Sequence, residues 1–97
     1  MNYRIIIKEE AGQDIRESYH WFDEQQKGLG KRILDELEIY FDILSKYPRI
    51  YQLQKKNLRA APLKTFPFLI IYEIIKKEVI VYAVFHTSQD PKKKFRK

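Results

Sequence analysis

The chain has 97 residues, 44% of them hydrophobic and 14% aromatic, with a formal net charge of +6. Length and composition describe one globular domain, residues 1–97, with a modest core, because a chain of this size buries roughly 65% of its unfolded surface. With no cysteine and two histidines there is no disulfide framework, no thiolate zinc site and a poor metal set, so neither metal nor cofactor is expected. No stretch is long and apolar enough to span a membrane, and the N-terminus is too short and too early charged for a signal peptide, so a reducing cytoplasm is the expected compartment.

The charge is polarised along the chain. Residues 1–46 carry seven Lys/Arg against ten Asp/Glu, a net of −3, and residues 47–97 carry twelve against three, a net of +9. Such asymmetry points to a surface that meets an anionic partner, nucleic acid or acidic protein.

In chain order, residues 3–7 alternate weakly and stop at Lys8-Glu9-Glu10, which reads as a short strand. From about Ala11 the spacing turns helical: Ala11, Ile15, Tyr19 and Phe22 share a face, with Trp21 beside them as core between helix and sheet. Gly28-Leu29-Gly30 ends this helix, and Gly28 suits a left-handed cap. A second helix is predicted over 30–46, where Ile33, Leu34, Leu37, Tyr40, Phe41 and Leu44 form a wide apolar stripe. Pro48 ends it by disfavouring a helical Tyr47. Two helices joined by a glycine turn make an antiparallel pair.

Residues 47–57 show no period. Residues 58–64 read as a strand that Pro62 demotes to an edge or a bulge. The two apolar runs 69–75 and 79–85 then form an antiparallel hairpin turned at Lys76-Lys77. Neither run alternates apolar with polar, which implies burial on both faces. Glu73, the lone charge inside, is expected to be hydrogen-bonded or at an edge. The chain ends in a basic tail, residues 91–97. The order is that of an α+β fold: an N-terminal strand, an antiparallel helix pair on one sheet face, then a three-stranded antiparallel C-terminal sheet.

Several short motifs stand in that order. They are Asp14-Ile15, Trp21-Phe22, Gln25-Gln26-Lys27-Gly28-Leu29-Gly30, Tyr47-Pro48, Arg59, residues 66–72 (FPFLIIY), residues 81–86 (VYAVFH) and Asp90-Pro91. As an ordered set spanning nearly the whole chain they resemble the RelE/ParE superfamily of type II toxin–antitoxin systems, most of all its ParE-like or plasmid-stabilisation branch. Gln89 stands where that branch often carries an arginine. The resemblance implies a cytoplasmic toxin, a growth inhibitor neutralised by a cognate antitoxin. It implies one of two targets: DNA gyrase, inhibited by binding as ParE-like members do, or messenger RNA on the ribosome, cut as RelE-like members do. A basic RNA-binding module without toxicity is the third reading.

Metal-independent RNA cleavage needs a base near the 2′-hydroxyl, an acid near the leaving oxygen and a cation on the phosphate. His86 and Arg59, on strands near the sheet centre, are the catalytic candidates for an endoribonuclease. The alternatives are a hydrogen-bonded structural role for His86 and an ion pair for Arg59, with Glu73 or with an acid of the antitoxin. Lys55, Lys56, Lys92, Lys93, Lys94, Phe95 and Arg96 are the candidates for binding target or nucleic acid, with plain solvation as their alternative.

Overall fold

Each half of the chain folds as its apolar period dictates. In the computed structural model, which describes residues 2–87, β1 (Arg4–Ile7) leads into α1 (Glu9–Gln25) and α2 (Leu29–Lys46), followed by β2 (Leu53–Lys55), β3 (Leu58–Pro62), β4 (Phe68–Ile75) and β5 (Glu78–His86). α1 starts two residues before the expected Ala11, because Glu9 and Glu10 complement the positive end of the helix dipole. Gly28, at φ +92°, takes the left-handed conformation between the helices. The Asp23 carboxylate closes that turn, accepting the N–H groups of Gly28 at 2.9 Å and Gly30 at 3.2 Å.

The strands form one mixed sheet in the order β1-β5-β4-β3-β2. The expected three-stranded C-terminal sheet is therefore enlarged to five strands. β1 adds to it parallel to β5, and β2 adds at the far edge within the segment expected to be irregular. All three β2 residues are exposed, so no apolar period marked them. Pro62 closes β3 beyond the end of its pairing with β2, where its missing N–H costs no ladder bond.

The helix pair lies on one face of the sheet. Ala11, Ile33, Leu37 and Leu44 pack with Phe68, Ile70, Tyr72, Val79, Val81 and Val84, joined by half-buried Ile15, Phe22, Tyr40 and Phe41. The α2 stripe is centred between Ile33 and Leu37. Phe41 and Leu34 fall towards its flank, which leaves Phe41 half-buried and Leu34 exposed. Trp21 departs from its expected place in the core: it is 54% exposed, with its ring against its neighbour Phe22 at 4.7 Å between centroids. The other sheet face buries Ala60, Ile71 and Ala83 between Leu58 and Leu69, and burial on both faces explains the unbroken apolar runs.

A bulge in β5 redirects the second half of that strand. Ile71 pairs with Ala83 and Tyr72 with Val81, so Tyr82 is the extra residue. The extra residue shifts the alternation by one. Val79 and Val81 face the helices before it, and Val84 faces them after it. The Asp14 carboxylate of α1 accepts the Val84 N–H at 3.0 Å, beyond the point where β1 stops pairing with β5 at Val81. A helix side chain thus occupies the sheet edge where a strand would otherwise be needed.

Candidate functional site

The shifted alternation brings His86 to the helix side of the sheet. It stands opposite Phe68 in the β4–β5 register, with ring centroids 5.0 Å apart, and Phe22 of α1 lies 6.3 Å away. Phe22 in turn meets Phe66 at 5.7 Å and Phe68 at 5.8 Å. His86 is therefore the half-buried polar member of an aromatic cluster at the loop end of the sheet.

Arg59 occupies the other end. It pairs in register with Tyr72, and its Nη1 donates to the Tyr51 carbonyl at 2.6 Å. The Tyr72 hydroxyl donates to the Pro48 carbonyl, also at 2.6 Å. These two side chains tie the loop between α2 and β2 to the sheet. Burial pushes the Tyr72 phenol up to about 12, with the Arg59 cation pulling the other way and Tyr51 adding to the rise. Burial likewise raises Tyr51, with Tyr40 adding to it. Glu73 takes no part in holding Arg59. It accepts the Tyr82 hydroxyl at 2.8 Å, and Tyr82 is raised by burial first and by that hydrogen bond second.

His86 and Arg59 share the helix side of the sheet but do not meet. They lie two strand spacings apart and four residues apart along β4, which places their Cα atoms about 16 Å from each other. Lying on central strands does not bring them together, because the register sets them four residues apart along β4. A cleft of about 480 Å³ lies between α2 and the loop before β4, lined by Arg32, Asp35, Glu36, Ile39, Tyr40, Ile43, Lys64, Thr65 and Phe66. Neither His86 nor Arg59 lines it. Glu36 organises this loop by accepting the N–H groups of Lys64 at 3.0 Å and Thr65 at 2.9 Å.

Lys55 ends β2 and Lys56 follows in the turn to β3, both exposed and at the end of the sheet where Arg59 lies. Lys92, Lys93, Lys94, Phe95 and Arg96 lie outside the described residues, as does Gln89. Among the described residues no group of three or more His, Asp or Glu side chains is placed to hold a metal ion. Nor is any helix among them long and apolar enough to cross a membrane.

Three side chains that hold this geometry, Asp14, Tyr72 and Tyr82, lie within the ordered motifs, but their hydrogen bonds follow from no spacing. Their polar atoms work across strands and layers, and no local period singles them out. A single tyrosine inside each apolar run is the signal that points to Tyr72 and Tyr82.

Comparison with known proteins agrees with this architecture. Residues 5–91 match the family model described as the ParE toxin of the type II toxin–antitoxin system parDE. No curated protein sequence matches significantly. Among solved structures the chain is similar to the chromosomal ParDE toxin–antitoxin system of P. aeruginosa, with a TM-score of 0.79 at 11% identity over 89% of this chain and 97% of that one. It is also similar to the intact RelBE toxin–antitoxin complex of E. coli, at 0.69 and 20% identity over 90% and 99% of the two chains. The isolated RelE toxin of E. coli gives 0.69 and 19% identity over 92% and 88%.

Proposed function

The chain belongs to the ParE toxin family of type II toxin–antitoxin systems, and from that premise we propose that it stops growth by gripping DNA gyrase, without itself cutting nucleic acid. As a toxin of such a system it has an antitoxin as its partner. The observation that carries the proposed mechanism is the separation of His86 from Arg59. Cleavage needs its proton-transfer group and its phosphate-binding cation within hydrogen-bond reach of one reacting centre. With about 16 Å between the two backbones, the pair is not assembled around one reacting centre. Arg59 is moreover engaged with a backbone carbonyl of its own chain. The exposed cations of the second half, Lys55 and Lys56 among them, supply attraction to an anionic target without any chemistry. Such a mode of action operates in the cytoplasm.

Two assays on one purified sample test the reading: gyrase supercoiling, and cell-free translation with mapping of mRNA ends. The expected result is loss of supercoiling with no new mRNA ends, and growth inhibition nearly unchanged in His86→Gln, which keeps size and hydrogen bonding. Ribosome-dependent cleavage that falls by about 10²–10⁴ in His86→Gln would replace this reading with the RelE-like endoribonuclease.

A further inference from the structure

Both two-residue turns of the sheet place lysine where glycine or asparagine is favoured. β2 and β3 are joined through Lys56-Asn57 and β4 and β5 through Lys76-Lys77. Among the described residues Lys56, at φ +54°, and Lys76, at φ +55°, are the non-glycine residues with positive φ. Because β4 pairs antiparallel with both β3 and β5, the two turns emerge at the same end of the sheet. Parallel β1 begins there too, with Arg4 opposite Glu78.

Arg49, from the loop after α2, reaches the same end through Tyr3. Its Nη1 donates to the Tyr3 hydroxyl at 2.8 Å, its guanidinium carbon lies 5.9 Å from the ring centroid, and Lys77 Nζ lies 5.7 Å from that ring. Arg4, Arg49, Lys55, Lys56, Lys76 and Lys77 thus stand together across a row of about 19 Å, the four strand spacings from β1 to β2. The nearby carboxylates are engaged: Glu78 with Arg4 at 2.9 Å, Glu73 with Tyr82, and Asp42 with Lys46 at 3.4 Å.

We propose that this end of the sheet is a binding surface for the phosphate backbone of a nucleic acid. Four lysines on flexible stems act as point charges that fit phosphates without reading bases. At two of them, both exposed, the backbone is in the left-handed region, where strain is retained although glycine would relieve it. Exposed ion pairs alone bind a peptide weakly. A polyphosphate gains in addition from release of its condensed counterions, which needs charge but no groove. The surface shares Lys55 and Lys56 with the gyrase reading, but its test contains no gyrase, so failure here leaves that reading standing.

The experiment titrates the full chain into a short labelled DNA duplex, and into an RNA of equal length, by fluorescence anisotropy at rising NaCl. Lys56→Gly with Lys76→Gly removes two charges while supplying the residue those φ angles favour, so the fold is kept. Affinity at low salt should fall about 10-fold in this pair, and further when Lys55→Gln and Lys77→Gln are added. The log–log salt slope should drop by roughly 0.9 for each phosphate that is no longer neutralised. The matched control Lys27→Gln with Lys31→Gln, at the turn between the helices, should bind as the parent does. Preference for duplex or RNA then identifies which nucleic acid supplies the phosphates. A folded quadruple variant, by circular dichroism, that binds with parental affinity and slope overturns the proposal. So does polyglutamate that competes as well as nucleic acid, which would make this an acidic-protein surface.

Discussion

At the scale of single residues, the polar atoms that matter are those that hold one layer to another. Tyr72 is fully buried, yet its hydroxyl donates to the Pro48 carbonyl and thereby pins the end of α2 to the sheet. Burial raises its phenol from the usual 10.0 to about 12, so the folded chain keeps the proton to higher pH than the unfolded chain does. The resulting stability is fully present below pH 10 and is lost as pH rises towards 12, because the unfolded state releases its proton first. A shift of about two units corresponds to roughly 2–3 kcal/mol. Tyr72→Phe should cost about 1–3 kcal/mol at neutral pH, since the Pro48 carbonyl loses its donor. It should also flatten the alkaline loss relative to the parent. Urea midpoints across about pH 8 to 12 check both effects. An alkaline arm identical in the two proteins would place the titrating group elsewhere.

At the scale of elements, the approach of α1 to α2 is set by one glycine. A Cβ at Gly30 would lie 2.6 Å from the Tyr19 ring and 2.7 Å from the Tyr19 carbonyl oxygen. The ring can swing away, but the carbonyl belongs to the backbone of α1. Alanine there gains up to about 1 kcal/mol of helix propensity. Forcing the helices apart costs more, and Gly30→Ala should lower stability by a net of about 1–3 kcal/mol. Thermal melting reads this directly, and a melting temperature unchanged or raised would show that the helix crossing adapts. The β5 bulge works on the same scale. One inserted residue, Tyr82, turns Val84 inward, and the Val84 N–H goes to Asp14, so a side chain of α1 and the bulge in β5 depend on each other.

At the scale of the whole molecule, the helix layer is fastened to the sheet through a core that centres on Leu37 and Ile33 against Tyr72, Val79 and Val81. Leu37 is 2% exposed, so Leu37→Ala should cost about 2–5 kcal/mol, a large share of the roughly 5–15 kcal/mol available to a domain. Phe41→Ala, from the half-buried flank of the same helix, should cost less than full burial of its ring would imply. Equilibrium urea unfolding of the two variants ranks them, and a larger loss for Phe41 would mean that α2 is rotated from the position described. The sheet also joins the first and last strands of the described residues, since β1 pairs parallel to β5. The anionic first half and cationic second half are thereby interleaved in one body, and the cations of four separate segments meet at one end.

Much of this is legible in the chain itself. Periods of 3.6 in residues 11–46, the glycine turn at 28–30, Pro48 after α2, and two β-branched runs around Lys76-Lys77 determine the helix pair and the central hairpin, because burying an apolar face is a local demand repeated along an element. Their order, with the motifs they carry, is enough to indicate the toxin family. Tertiary structure alone decided the rest. It placed β2 at an edge where nothing apolar marks it, put β1 beside β5 across most of the chain, and left Trp21 on the surface. It also set the fate of His86 and Arg59. Their residue types advertise chemistry, but whether two side chains meet depends on strand register and on a single-residue bulge, and register is fixed by contacts between distant segments that leave no period in the sequence.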